Sequence, residues 1–281
     1  MKKKLMALLL CSVTAVMLAA CGSSNEGSTS NTENSSKEKV YLNDAQIQQL
    51  FTDADQFADK YVKLGGVLQF NPEPDSDSSM ALQIAHDPVN QEQVFVAYIN
   101  DTDSSLKSGD YVKIEGQVHG ELAYENMFGG DSSCPLIKNA SVTKSTYIDV
   151  VAPTTATLEP NVSSEQHNVT VSVDKVEYSD VETRVYMTIK NDSSEDADAG
   201  VYDIKIIMDG QQVGIDNNSQ SSYDGNYPEL NSHIAANAST SGILVFPTIE
   251  QHKDFQISVP NVYSNNYELE LDTYTLNISA Q

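Results

Sequence analysis

The spacing of apolar residues in the first half of the chain predicts one helix followed by short strands. Between residues 43 and 59, apolar side chains recur three and four positions apart, and Asn43 is a suitable N-cap. From residue 61 onward, short apolar or alternating runs are separated by polar turns, which predicts about five strands. These strands are expected at 61–70, 80–85, 94–99, 110–118 and 136–143, with a polar turn at 71–79.

The second half of the chain has a different pattern. Residues 152–157 read Ala-Pro-Thr-Thr-Ala-Thr, which predicts a hinge between two domains. Beyond the hinge, about seven short alternating runs are separated by Asn, Gly and Asp turns, and no helix of ten or more residues is expected. This pattern is typical of a β-sandwich. The runs are 169–173, 185–189, 202–206, 243–246, 255–259, 267–271 and 274–278.

The N-terminus has the pattern of an export signal. Three lysines precede about 16 mostly apolar residues, which is short for a membrane span. The run ends in Leu18-Ala19-Ala20-Cys21 and so resembles the lipobox of bacterial lipoproteins. The resemblance implies a signal peptide at 1–20 and fatty acyl chains, of the palmitate kind, on Cys21. It implies anchoring to the extracytoplasmic face of the cell membrane, as on a Gram-positive cell surface; an ordinary secreted protein is the alternative.

A polar tether is expected to follow the anchor. Residues 22–39 consist of Ser, Asn, Thr, Gly, Glu and Lys, with no apolar residue that could be buried. About 18 flexible residues reach roughly 25 Å. We therefore expect residues 21–40 to be a lipidated cysteine and a disordered tether.

Charge and cysteine content exclude several classes of protein. The 281 residues carry 40 acidic and 16 basic side chains, so the net charge is -24. Such a chain repels nucleic-acid phosphates and anionic lipid, and we expect no nucleic-acid partner and no polybasic membrane contact. The lipobox resemblance implies that Cys11 leaves with the signal peptide and that Cys21 is lipidated, which would leave Cys134 with no partner for an intramolecular disulfide. We expect Cys134 to be an inert, at least partly buried thiol.

Residues 41–152 resemble the OB-fold, a small closed Greek-key barrel. The resemblance rests on one helix, about five strands, and the stretch Leu-Lys-Ser-Gly-Asp-Tyr-Val-Lys-Ile-Glu-Gly at 106–116. That stretch looks like the segment leading into a late strand in OB-like modules of bacterial lipoproteins. The basic, aromatic-lined groove of nucleic-acid OB domains is missing. The predicted fold is mainly β, an OB-like five-stranded barrel with one N-terminal helix followed by a sandwich.

Residues 153–281 carry a second resemblance. The stretches Thr-Arg-Val-Tyr-Met-Thr-Ile-Lys-Asn-Asp at 183–192 and Asn-Ala-Ser-Thr-Ser-Gly-Ile-Leu-Val-Phe at 237–246 carry it. Together with their spacing, they resemble the DUF4352 family of immunoglobulin-like extracellular domains, which is related to MPT63-type secreted antigens. The family implies an exported immunoglobulin-like β-sandwich and supplies no catalytic residues.

No motif for catalysis or for a cofactor is visible. The five histidines are dispersed, and His-Glu-x-x-His, Gly-x-Ser-x-Gly and phosphate-loop patterns are absent from the sequence. We therefore expect no catalytic residue, no cofactor and no metal. Residues 101–112 begin like an EF-hand loop, but Leu106 and Val112 occupy positions that need Gly and Glu. The acidic stretches 75–77 and 195–198 are solvated loops or weak calcium sites.

The most suggestive surface lies between residues 121 and 130. Its aromatic, amide and glycine residues can form a stacking surface that a ligand approaches closely. The alternative is a hairpin whose aromatic side chains cap the barrel. The candidate residues are Tyr124, Asn126, Phe128, Gly129 and Gly130.

These patterns favour a lipid-anchored, non-enzymatic binding or interaction protein of the cell envelope. Its partner would be an envelope protein, a peptide or a glycan. Two alternatives stay open. One is an envelope hydrolase, or an accessory subunit of one, whose site is assembled from dispersed carboxylates. The other is a structural spacer that holds another factor away from the membrane.

Overall fold

The computed structural model describes residues 38–76, 79–100, 105–125, 129–264 and 271–280. The signal peptide, Cys21 and nearly all of the tether lie outside this part of the chain, as do Asp77, Asp101 and Asp103. In the part that is described, no helix has the length and apolar character needed to cross a membrane.

The predicted first helix forms in two pieces. Helix α1 spans Asp44–Leu50, and a 3-10 turn follows at Asp55–Phe57. Asn43 caps α1 as expected: its side-chain oxygen accepts from the Gln46 amide at 3.0 Å, and the Gln46 side chain accepts from the Asn43 amide at 3.0 Å. The break between the two pieces allows Leu50 and Phe57 both to be buried in the same core.

Five strands close into a barrel, as predicted. The ring order is β1–β3–β4–β6–β5 and back to β1, with β4 and β6 parallel and every other pair antiparallel. An extra edge strand, β2, pairs with β3 only. The strands are β1 Tyr61–Leu68, β2 Glu73–Ser76, β3 Ser79–Asp87, β4 Glu92–Ile99, β5 Tyr111–Glu125 and β6 Asp131–Lys144.

Three strands depart from the sequence prediction. Strand β2 lies where a polar turn was expected, and it tolerates Pro74 because an edge strand needs fewer backbone donors. Strands β5 and β6 are longer than expected and continue beyond the barrel. Alternation does not reveal those extensions, because most of their side chains are polar or small and only Cys134 and Pro135 among residues 121–125 and 131–135 are buried.

The barrel closes at Gly66. A Cβ atom at this position would lie 2.4 Å from the Ala85 carbonyl oxygen, so a side chain cannot fit where β1 passes from β5 to β3. Inside the barrel, alternate residues of each strand form one apolar core. Its largest fully buried members include Leu50, Leu68, Leu82, Ile84, Phe95, Ile99, Ile114 and Ile137.

The second half of the chain forms a β-sandwich-like arrangement, as predicted. Strands β15, β10 and β9 form one sheet, and β7 and β8 both pair with β9; β13, β12, β16 and β18 form another, and β14, β11 and β17 a third. The strands are β7 Ala156–Leu158, β8 Val162–Gln166, β9 Val169–Tyr178, β10 Thr183–Asn191, β11 Ala197–Ala199, β12 Lys205–Met208, β13 Gln211–Gly214, β14 His233–Ile234, β15 Ala238–Phe246, β16 Phe255–Val259, β17 Val262–Ser264 and β18 Tyr274–Ile278.

Twelve strands are described here, more than the expected seven, because several are only two to four residues long. The expected strand at 202–206 starts late, since Val201–Asp203 forms a 3-10 turn. The expected strand at 267–271 lies almost wholly outside the described residues. Two four-residue helices, α2 at Tyr147–Val150 and α3 at Ser221–Asp224, complete the fold.

Residues 39–281 form one compact unit that contains two separate apolar cores. One core lies between Leu42 and Ala140 and the other between Val169 and Ile278. The segment between them is bonded to the sandwich: the Thr155 amide donates to the Tyr178 carbonyl at 2.7 Å, and Ala152 is fully buried.

Candidate functional site

The residues proposed as a ligand surface lie at the end of a projecting β-hairpin. We call residues 121–125 of β5 and 131–135 of β6 the hairpin arm; its register runs from Glu121 opposite Pro135 to Glu125 opposite Asp131. Tyr124 is 42% exposed on the arm. Gly129 and Gly130 lie at its end, and Gly129 has a φ of 78°. Asn126 and Phe128 lie outside the described residues.

The direction of the arm is set at its base. Gly120 has a φ of 114°, a left-handed conformation that favours glycine, and a shift in strand register lies between Val118 and Gly120. Asp55 Oδ1 accepts a hydrogen bond from the Glu121 amide at 2.9 Å. The 3-10 turn that contains Asp55 therefore fixes the point where the ribbon leaves the barrel.

Cys134 lies on the arm opposite Leu122. Its side chain is buried, as expected, and burial raises the pKa of the thiol to about 11. Burial also raises the pKa of the Tyr124 hydroxyl, with a smaller contribution from Cys134. The thiol therefore stays protonated at neutral pH, and a protonated thiol is a poor nucleophile.

A second surface feature was missed by the sequence reasoning. The side chains of Lys39, Tyr41, Tyr61, Lys63 and Glu115 form one exposed cluster on the outer side of β1 and β5. Glu115 lies 2.9 Å from the Lys39 ammonium and 3.7 Å from the Lys63 ammonium, and the Tyr41 hydroxyl donates to Glu115. Lys39 Nζ is 4.9 Å from the Tyr61 ring centre, and Lys63 Nζ is 5.0 Å from the Tyr41 ring centre. Each ammonium group therefore lies over an aromatic face.

The charges of this cluster are held in their ionised forms. The hydrogen bond from Tyr41, followed by that from Lys39, lowers the pKa of Glu115 to about 2. The hydrogen bond to Glu115 raises the pKa of Lys39. Strand register explains the arrangement, because Lys63 and Glu115 are direct cross-strand partners. Only a known register of β1 against β5 would have revealed the cluster from the sequence.

Further lysines continue this outer surface. Lys113 lies opposite Gly65 of β1, and Lys138 lies opposite Gln117 of β5, so both share the face of Glu115 and its neighbours. Neither Lys113 nor Lys138 forms an ion pair with any residue that the structure describes. We call Lys39, Tyr41, Tyr61, Lys63, Lys113, Glu115 and Lys138 the lysine–tyrosine face.

A buried arginine joins the sandwich to the segment between the two cores. Arg184 on β10 has no exposed surface. Its Nε donates to Glu177 at 3.1 Å, and Nη1 donates to Glu182 and to the Ala152 carbonyl, both at 2.9 Å. Its Nη2 donates to Thr154 Oγ1 at 2.7 Å. Two glutamates and two groups of the connecting segment thus satisfy one guanidinium.

Tyrosines and a lysine complete this buried network. The Tyr227 hydroxyl donates to Glu182 at 2.6 Å, and the Tyr186 hydroxyl donates to Glu177 at 2.9 Å. Lys175 donates to Glu177 at 2.7 Å. Burial, followed by the bond to Glu182, raises the pKa of Tyr227. Burial alone would raise the pKa of Glu177, but its bonded partners lower it. The network has its polar contacts within the chain, so its role is structural.

The acidic stretch 195–198 approaches a histidine. His233 Nδ1 is 3.1 Å from Asp198 and its Nε2 is 3.7 Å from Asp196. No group of three or more His, Cys, Asp and Glu side chains that could hold a metal ion occurs in the described parts of the chain. The Asp75 backbone lies in β2.

Two carboxylates border a shallow depression of about 340 Å³ at one end of strands β12, β16 and β18. Asp209 lies 2.8 Å from the Lys253 ammonium, and Asp254 accepts from the Ala280 amide at 2.8 Å. Asp209 is thus paired with an ammonium group, and Asp254 is bonded to a backbone amide.

No protein-family model matches the chain, and no curated protein matches it. Among solved structures, the chain is similar to a functionally unknown protein from Listeria monocytogenes EGD-e, with 15% identity, a TM-score of 0.34, and coverage of 49% of this chain and 94% of that chain. It is also similar to a conserved domain protein from Bacillus anthracis, with 12% identity, a TM-score of 0.28, and coverage of 80% and 78%. At these values, neither similarity carries an argument about what the protein does.

Proposed function

We propose that the protein is a lipid-anchored binding protein of the extracytoplasmic face of the cell membrane, without enzymatic activity of its own. The Leu18-Ala19-Ala20-Cys21 signal and the polar tether support the anchor. The antiparallel sandwich of residues 156–278 supports an immunoglobulin-like domain of the DUF4352 type, a class found in exported proteins. Partner binding is assigned to the hairpin arm.

The observation that carries this proposal is the shape of the hairpin arm. The outer edge of β5 is bonded as far as the Glu121 amide, but beyond it no strand of the described chain pairs with this edge, and Tyr124 is exposed there. An unpaired strand edge can add a strand from another chain, and the bonds made are main-chain bonds. A tyrosine supplies contact area at low cost in side-chain entropy. These features favour a peptide segment of an envelope protein over a glycan.

The test is capture from detergent-solubilised envelopes with the full chain and two single variants. Tyr124→Ser removes the exposed ring of the arm, whereas Tyr223→Ser removes a ring that is 72% exposed elsewhere. We expect wild type and Tyr223→Ser to retain the same envelope protein, and Tyr124→Ser to lose most of it. Equal capture by all three proteins, or capture only of wall glycan, would contradict the proposal.

The structural spacer is the second candidate. The bonds from Arg184 to Ala152 and Thr154 favour it, because they hold the connecting segment against the sandwich. A spacer needs rigidity and no exposed binding residue. The spacer would be supported instead if cells that carry Tyr124→Ser keep normal envelope function. Cells that carry a variant with a loosened connecting segment should then lose that function.

A further inference from the structure

The distribution of charge over residues 39–281 is strongly uneven. These residues carry 37 acidic and 12 basic side chains. Four of the twelve basic side chains belong to the lysine–tyrosine face: Lys39, Lys63, Lys113 and Lys138. Glu115 is the carboxylate bonded to them. A cationic surface is thus present on a protein whose remaining surface is strongly acidic, so the net charge, from which we expected no polybasic membrane contact, does not describe this face.

We propose that the lysine–tyrosine face binds the anionic phospholipid surface of the membrane and orients the anchored protein on it. The proposal rests on the lipid anchor proposed above. The occupant is the headgroup layer of the membrane that holds the protein. Lysine ammonium groups are attracted to anionic headgroups within about a Debye length, which is about 8 Å at physiological ionic strength.

Connectivity favours the membrane over other anionic partners. Lys39 is both a member of the face and the residue at which the chain from Cys21 reaches the folded unit. The composition of residues 22–39 predicts a flexible tether, which would reach roughly 25 Å and hold Lys39 within that distance of the lipid. Effective concentration therefore compensates for a weak interaction.

Charge and side-chain type define the orientation. The anionic membrane repels the acidic remainder of the surface, so only one face is attracted. Tyr41 and Tyr61 are partly exposed beside the lysines, and tyrosine side chains favour the boundary between water and lipid. Glu115 stays ionised and, through its bonds to Lys39 and Lys63, holds these ammonium groups in place.

The test measures lysine reactivity toward a water-soluble succinimidyl ester by mass spectrometry. The lipid-modified protein is placed in phosphatidylcholine vesicles with or without phosphatidylglycerol. We expect the reactivity of Lys63, Lys113 and Lys138 to fall about fivefold on the anionic vesicles, the effect of about one lysine charge near such a surface. Lys190 and Lys205 in the sandwich should react equally on both vesicles. Protection should disappear at about 1 M salt, where the Debye length is about 3 Å.

Two matched variants separate the face from net charge. One double variant carries Lys63→Gln and Lys113→Gln, and the control carries Lys190→Gln and Lys205→Gln. Each double variant removes two positive charges, and all four positions are exposed. Only the first pair should abolish the protection of Lys138. The proposal would be overturned if Lys138 were equally protected in both double variants. It would also be overturned if the lysines of the face reacted equally on neutral and anionic vesicles of the unchanged protein.

A separate arm distinguishes failure of this proposal from failure of the anchor. If the cell attaches no fatty acid to Cys21, the anchor proposal fails. The Cys21 thiol of a protein that begins at Cys21, and so lacks Cys11, is then coupled to a maleimide lipid in vitro, because the buried Cys134 thiol has a raised pKa and does not compete. Protection of the face on anionic vesicles would then support orientation by the face, and its absence would contradict it.

Discussion

Arg184 shows how much a single residue can matter in this fold. It is a fully buried cation with five bonded partners, two of which are glutamates that are nearly buried themselves. A buried ion pair adds little net stability compared with an apolar pair, but losing one partner leaves the other charge uncompensated. The residue is therefore costly to change alone.

Replacing Arg184 with Met should lower the free energy of unfolding by about 3–5 kcal/mol, because Glu182 loses its cation and Glu177 keeps only Lys175. Lys190→Met, at a strand position where the lysine is exposed and paired with Asp192, should change it by less than about 1 kcal/mol. Denaturant unfolding of the two variants measures the difference. Similar stabilities would show that the buried network carries no such penalty.

At the scale of elements, the hairpin arm depends on the geometry of its base. A side chain at Gly120 meets two obstacles, a φ of 114° and a Cβ position 2.4 Å from Asp55 Oδ1. Asp55 is the acceptor of the Glu121 amide, so displacing it also breaks the bond that fixes the arm. The ribbon beyond has no sheet partner on the outer edge of β5 among the described residues.

Gly120→Ala should destabilise the protein by about 1–3 kcal/mol and expose the Glu121 amide. Gly214→Ala is the matched control, because its Cβ meets no atom within 4 Å and its φ is not positive. Hydrogen exchange should show faster exchange at residues 121–125 in the first variant only. Unchanged exchange there would mean that the base of the arm does not depend on Gly120.

At the scale of the whole molecule, two apolar cores are linked by polar contacts. Besides the bonds of Arg184, the Tyr111 hydroxyl of β5 donates to Asp224 of α3 at 2.6 Å. Each core is built from its own half of the chain. Polar links of this kind are typical of contacts between domains that fold independently.

We predict that residues 41–152 and 158–281 each fold alone, with the second fragment weakened. That fragment lacks Ala152 and Thr154, so two donors of the Arg184 guanidinium lose their acceptors. A fragment of residues 152–281 should be more stable by at least about 2 kcal/mol. Thermal unfolding of each fragment is the measurement. If neither half shows a cooperative transition, the boundary at the connecting segment is wrong.

Local features were predictable because their causes are local. Asn43 and Gln46 form the cap of α1 within one turn of chain, and alternation along β9 and β10 marks the side that is buried. Valines and isoleucines at every second position favour a strand with one buried side, whichever other strands it pairs with. The sequence by itself thus determined the mainly β class, the capped helix and the division into a barrel and a sandwich.

The tertiary structure alone decided which side chains meet. Lys63 and Glu115 are 52 positions apart in the sequence, and only the register of β1 against β5 makes them cross-strand partners. From the sequence, Arg184 would be taken for an exposed residue of a strand. In the structure it is fully buried by Glu177, Glu182 and the connecting segment. Strand extensions beyond the barrel also leave no apolar signal. Pairing between distant strands depends on the free energy of the whole sheet, so no local pattern of residues records it.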